Sequence, residues 1–296
     1  MSRRPANLAA SVSASRIASG VGVHGLLLIA AALMLTPFVW LLCAAFKVNQ
    51  DVVDSTFLPL NPEGFLGVAW DRLTHIHFRT LLGSLGLGRA ALISIFLSAT
   101  TAALATFLCA AAGYALAKLH FKGRTAAAVL VLGAVTIPGP LLLAPGYTVL
   151  YQIGLLDSYW GLILPAAAPA FGVFLFRQAM TSSVPDQLLE AARIDGCSEL
   201  RLFTLIALPL VRPMVGAFML ITFLGAWTNY IGPQIVLQTP AKFPLAVFIA
   251  QLKGTYYQDY GLLMAATLVS IVPVLGLFLL LQREFISGLT SGAVKG

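Results

Sequence analysis

Few residues of this chain could carry out bond-making chemistry, and none stand in a known catalytic pattern. A P-loop needs Gly-x-x-x-x-Gly-Lys-[Ser/Thr], so that backbone amides and a lysine cradle phosphates; the dipeptide Gly-Lys occurs nowhere in the sequence. His-Glu-x-x-His and Gly-x-Ser-x-Gly are absent as well, which leaves no catalytic residue to assign by those routes. His75 and His77 would share one face of a strand and could hold a metal, or they are solvated loop histidines; no third ligand stands nearby, so no metal site is assigned. Cys43, Cys109 and Cys197 are too few and too widely spaced for a disulfide framework. The 11 acidic residues fall outside the long apolar runs, and only His24 lies in one, near its start. A proton relay would place such groups inside the membrane, so the energy for any transport by this chain comes from another subunit.

The elements that must position the remaining polar residues are strongly apolar. Of 296 residues 59% are hydrophobic and 10% charged, and the mean hydropathy is +0.90, too few charges to solvate a soluble fold. Six windows lack Asp, Glu, Lys and Arg: Val23–Phe46, Ala90–Ala117, Thr125–Leu156, Ser158–Phe176, Pro213–Ala241 and Tyr260–Gln282. Each exceeds the run of about 18 apolar residues that marks a membrane-spanning candidate. The fold class expected is therefore all-α, an integral membrane protein with six transmembrane helices. The first run is longer than a signal-peptide core and reads as a retained anchor. The organisation expected is a tail over residues 1–20, a membrane domain over 21–288 with an outer loop near 47–89 and a cytoplasmic loop near 177–213, and a tail over 289–296.

Loop charge sets the orientation. With the N-terminus inside, the cytoplasmic segments carry Arg3, Arg4, Arg16, Lys118, Lys122, Arg124, Arg177, Arg193, Arg201, Arg212, Arg283 and Lys295. The opposite segments balance, so the whole net charge of +7 lies inside and both termini are cytoplasmic. The basic excess is topological and calls for membrane lipid rather than nucleic acid as a partner.

The longest inner segment reads as two short helices. Ser183 and Asp186 form a capping-box-like start with Pro185 in the first turn. Leu188, Leu189, Ala192 and Ile194 supply an apolar face, and Gly196 can take the left-handed conformation that ends the helix. Ser198 then caps a second helix carrying Leu200, Leu202, Phe203 and Ile206, up to Pro209 and Pro213. So elaborate an elbow exceeds what reconnecting two spans requires.

Glu190-Ala191-Ala192, Gly196, Ile206, Leu208 and Pro209, at their spacing, resemble the signature loop of bacterial ABC-importer permeases. The segments 115–124, 157–165, 174–178 and 288–296, with Thr36-Pro37 through Lys47, are similar to the carbohydrate branch of that family, its maltose MalG-type subunits. The resemblance implies a MetI-like permease fold with cytoplasmic coupling helices in a bacterial inner membrane. It implies a sugar or oligosaccharide as cargo, a second permease subunit, two copies of a cytoplasmic ATPase that holds the ATP and magnesium, and an extracytoplasmic sugar-binding protein. This chain would hold no cofactor. The resemblance assigns ATPase coupling to Glu190, Ala191, Ala192, Asp195, Gly196, Phe203, Ile206, Leu208 and Pro209, and an ATPase contact to the tail residues Leu289, Thr290, Gly292, Ala293, Val294 and Lys295.

One departure stands out. The family's fifth span commonly has Trp-Asn followed by an acid, whereas this chain reads Trp227-Thr228-Asn229-Tyr230. Trp227, Asn229 and Tyr230, with Pro138 and Gly139, are candidates for the substrate pathway; Trp227 and Tyr230 could stack on a sugar face or anchor the span in an interfacial belt. Pro138, Gly139, Pro140, Pro145 and Gly146 break the third span, either to wall a pathway or to serve helix packing. The small residues from Ser94 to Ala117 favour close helix packing. A permease for another polar solute, such as an amino acid or polyol phosphate, and a scaffold that conducts nothing are the other readings.

Overall fold

The computed structural model describes residues 6–62, 64–253 and 259–293. Apart from two isolated bridges, these residues are helical or lie in connections. They form two compact units, Met1–Thr80 with Thr255–Leu268, and Leu81–Gly254 with Val269–Gly296.

The first unit contains α1 (Ala6–Ala45) and α2 (Asn49–Asp54). The helix α3 (Ile76–Gly83) begins in it. Helix α1 starts inside the segment expected to be a tail. Lys47, at its exit, is fully buried. Its ammonium donates to the carbonyls of Ser55 at 2.7 Å and Thr56 at 3.3 Å, which offsets the cost of burying the charge. Burial nonetheless pulls the Lys47 pKa below the usual lysine value. Arg72 pairs with the buried Asp51 at 2.5 Å. His77, expected as a solvated loop residue, is instead buried in α3, and its Nε2 lies 2.9 Å from the Lys47 carbonyl. Among the described residues no acidic, His and Cys side chains gather as a metal site would require.

In the second unit the helices are α4 (Leu87–Lys118), α5 (Arg124–Val135), α6 (Leu143–Gln152), α7 (Trp160–Ile163) and α8 (Ala170–Ser183). They continue with α9 (Asp186–Ile194), α10 (Glu199–Leu210), α11 (Arg212–Trp227), α12 (Ile231–Val236) and α13 (Leu245–Gln251). The last helix, α14 (Tyr260–Ala293), runs from the first unit into the second and through part of the expected C-terminal tail.

Helix α4 is the spine of the second unit. Its small residues admit neighbours closely: a Cβ at Gly113 would stand 2.6 Å from the Phe176 Cβ and 2.7 Å from the Arg177 nitrogen. The core follows that contact, with Cys109, Tyr114, Phe176, Met180, Phe203 and Phe218 buried together. Phe176 and Phe218 meet edge to face at 5.3 Å, a favoured aromatic geometry.

Among the described residues three helices are long and apolar enough to cross a membrane: Gly22–Ala45 of α1, Leu87–Lys118 and Tyr260–Leu280 of α14. Three of the six expected spans are not single helices, Pro213–Ala241 being divided between α11, α12 and the connections that follow each of them. Arg124–Val135 and Gly139–Gln152 meet at 100°, because Pro138 and Pro140 cannot donate to the ladder. Ser158–Phe176 comprises the one-turn α7, an irregular stretch with Pro165 and Pro169, and the start of α8. Windows chosen for lack of charge do not register such breaks.

At the end of the bundle holding the α4 N-terminus, Asp157 ties two connections together. It adopts φ 53°, a left-handed conformation that costs energy for any residue with a Cβ. Its carboxylate accepts from the Gln238 and Thr239 amides at 3.0 Å each, the Thr239 hydroxyl at 2.7 Å and Lys242 at 2.7 Å. The Lys242 hydrogen bond, with those of Thr239 and Gln238, holds the carboxyl far below the usual range.

Candidate functional site

The elbow forms at the other end of α4. Pro185, rather than Ser183, occupies the N-cap of α9, and Ser183 is the last residue of α8. The helix ends where Gly196 takes φ +83° and its amide bonds the Arg193 carbonyl at 3.0 Å, the left-handed exit expected of a glycine there. Helix α10 then begins after Ser198, whose side chain makes no capping bond. It contains a π-helical turn over Leu202–Ala207 and continues through Pro209. The bend into α11 is 83° and falls at Val211.

Fixed contacts hold this elbow to α4, and the end of α4 to the start of α5. Lys118, its side chain 4% exposed, donates to Asp186 at 2.6 Å. That bond and charge keep the Asp186 carboxyl below its ordinary range. The Glu199 carboxylate accepts from Arg193 Nε at 2.6 Å and from the Tyr114 hydroxyl at 2.9 Å. Arg193 in turn lowers the Glu199 pKa. Arg124 donates to the carbonyls of Leu116 and Ala117, at 2.9 Å each, satisfying acceptors that a helix C-terminus leaves free. Leu189, Leu202 and Phe203 are buried beneath, with the Phe203 ring 5.5 Å from that of Tyr114.

The expected coupling residues thus divide in two. Glu190, Ala191, Asp195, Gly196 and Pro209 face outward, while Ala192, Ile206 and Leu208 are half-buried and Phe203 is core. The apolar face foreseen on α9 divides likewise: Leu189 is buried, whereas Ile194 is 87% exposed. Leu200 and Leu205 of α10 are also exposed. The result is a surface with apolar and acidic side chains outward and its fastenings inside. The spacing of Tyr114 and Lys118 carried no signal of those fastenings. Of the tail residues, Leu289, Thr290, Gly292 and Ala293 continue α14, and Val294 and Lys295 lie outside the described residues.

A second feature is a cleft of about 250 Å³ among α4, α7, α11 and α12. Leu97, Leu162 and Pro169 form apolar walls, Thr101, Thr222 and Asn229 supply polar groups, and no lining residue is ionisable. Asn229 Oδ1 accepts from the Gly232 amide at 3.1 Å. Of the pathway candidates, only Asn229 lines this cleft. Pro138 and Gly139 are exposed at the α5–α6 bend, and Tyr230 is exposed outside the cleft lining. Trp227 is buried with its ring stacked on Phe223 at 5.8 Å, so in this conformation it neither faces a solute nor lies in a belt.

A bundle of apolar helices with a fastened elbow at one end and an uncharged cleft within it belongs to the class of membrane transport subunits. The chain is a member of the family described as the inner membrane component of binding-protein-dependent transport systems, whose profile matches residues 6–285. It is therefore a transport subunit and not an enzyme. It is 38% identical over 203 residues to the arabinooligosaccharides transport system permease protein AraQ of Halalkalibacterium halodurans, covering 69% of this chain and 72% of that one. To Protein LplC of Bacillus subtilis it is 29% identical over 279 residues, 90% of each chain. Its fold matches a chain of a bacterial ABC transporter involved in the import of the acidic polysaccharide alginate, with a TM-score of 0.75 and 22% identity over 92% of this chain and 98% of that one.

Proposed function

We propose that this chain is a permease subunit of an ATP-driven saccharide importer and that α9 and α10 dock a separate ATPase. The observation that carries the reading is the division of the elbow: its signature residues Glu190, Ala191 and Gly196 are exposed while Lys118 and Tyr114 fix it from behind. Short helices presenting an apolar ridge suit a groove on a partner. A rigid elbow passes a movement of that partner to α4, α8 and α11 as a body. In this reading the elbow and both termini are cytoplasmic, and the C-terminal residues from Leu289 lie toward the ATPase. A second permease completes the conduit, an extracytoplasmic binding protein delivers the sugar, and ATP and magnesium are held by the ATPase pair. AraQ, named for arabinooligosaccharides, supports a saccharide as cargo.

The test is purification of the tagged chain from its native membrane, followed by uptake in proteoliposomes. The account expects a second permease and a nucleotide-hydrolysing subunit to accompany it, with saccharide uptake dependent on ATP. A chain that purifies with neither is a scaffold, and the proposal fails.

A further inference from the structure

The cleft between α4 and α11 says more about the cargo, an argument that rests on the saccharide reading above. We infer that it receives one ring of an uncharged glycan and disfavours a uronate.

Its volume of about 250 Å³ lies just under the roughly 300–1,000 Å³ of pockets that enclose drug-sized ligands, so it suits one sugar ring rather than a chain. The walls are apolar, with Leu97, Leu162 and Pro169 offering surface to the C–H face of a pyranose or furanose. Three polar side chains converge on it. Asn229 commits its carbonyl oxygen to the Gly232 amide, which leaves the amide nitrogen to donate. The Thr101 and Thr222 hydroxyls have no hydrogen-bond partner among the described residues and can donate or accept. Donors and acceptors together on an apolar wall match the alternating hydroxyls and C–H groups of a neutral sugar.

The lining contains no Lys, Arg or His. A carboxylate entering it would lose water with no cation to replace it, and burying an unpaired charge is far costlier than burying a hydroxyl that finds a partner. Neutral donors alone compensate a hydroxyl well and a carboxylate poorly. On this ground the chain sides with carriers of neutral glycans, such as arabinooligosaccharides, although its fold matches that of an importer of acidic alginate.

The experiment uses the complete transporter in proteoliposomes with a panel of neutral probes (arabinotriose, lactose, maltotriose) and one uronate, trigalacturonate. Each isosteric variant, Thr101→Val and Thr222→Val, should raise the KM for the transported neutral probe about fivefold, the worth of one neutral hydrogen bond, while ATP hydrolysis at saturation stays unchanged. Ala226→Cys, also in the lining, should react with a water-soluble methanethiosulfonate, and the transported probe should slow that reaction. Wild-type protein that carries none of the saccharides refutes the saccharide reading and this one with it. If wild type carries the neutral probes but both valine variants keep their KM, or Ala226→Cys is unprotected, the cleft is not the contact. Uptake of trigalacturonate as fast as of the neutral probes overturns the charge argument.

Discussion

Replacing Tyr114 by Phe removes a single oxygen and tests whether the elbow is held as a unit. The ring sits in the core, 3% exposed, so the packing survives. The loss is the hydroxyl's 2.9 Å bond to Glu199. A hydrogen bond to a charged partner is worth about 1.5–3 kcal/mol, but the Glu199 side chain is 47% exposed and can turn to water while keeping Arg193. Solvent access brings the expected loss below that range, to about 1 kcal/mol. In a detergent-solubilised complex this should appear as earlier unfolding of the elbow, followed by proteolysis between α9 and α10, and as a fall in uptake per ATP hydrolysed. Glu199→Gln leaves a neutral acceptor and should cost a similar amount through Arg193. In a double-mutant cycle the two losses should fall short of adding. If they add within about 0.3–0.5 kcal/mol, the two side chains do not interact, and the elbow is not fastened through this pair.

Gly113→Ala would bring a Cβ within 2.6 Å of the Phe176 Cβ and 2.7 Å of the Arg177 nitrogen; overpacking of this kind costs about 1–3 kcal/mol, and a thermal midpoint unchanged in detergent would refute the close crossing of α4 and α8. Asp157→Asn should lower that midpoint at neutral pH by weakening the tie to Thr239 and Lys242. Because the folded Asp157 pKa is depressed, its contribution is fully present above the unfolded value of about 3.9 and is lost only as pH falls through the lower folded value. The difference between wild type and variant should therefore stay constant from about pH 5 to 8 and shrink in acid; a difference that vanished at neutral pH would contradict the tie. Cys197, half-buried just beyond Gly196, should react with a membrane-impermeant thiol reagent in inverted vesicles and not in intact cells, and labelling from outside would reverse the orientation.

What was legible in the sequence was what one stretch of chain decides. Uninterrupted apolar residues foretold α4 and the greater part of α1 and α14. Gly196 foretold the end of α9, since a left-handed turn there asks for glycine. Ser183 misled, because Pro185 already supplies the extended backbone from which α9 starts. The bend between α5 and α6 was half legible: Pro138 and Pro140 announce a break, but its 100° angle depends on surrounding structure. The fastenings were not legible, since Lys118 and Asp186 stand 68 residues apart and Tyr114 and Glu199 stand 85 apart. Nothing in one sequence pairs them. Both roles open to Trp227 from the sequence need an accessible ring, whereas Phe223, one helical turn earlier, stacks on it and helps to bury it.

The central claim is that the outward face of the elbow docks the ATPase, and retention of the ATPase by two variants tests it most directly. Gly196 has open space around its Cα, so a side chain meets no clash, but φ +83° is hostile to a β-branched residue. Gly196→Val should therefore alter the angle between α9 and α10 while the bundle still assembles in the membrane. Glu190→Lys reverses an exposed charge on the same face, where a surface substitution changes folding stability by only about 0.5 kcal/mol. Both proteins should reach the membrane at normal levels and lose the ATPase on detergent purification, or keep it and hydrolyse ATP without uptake. Two variants that retain the ATPase and transport at the wild-type rate would contradict the account.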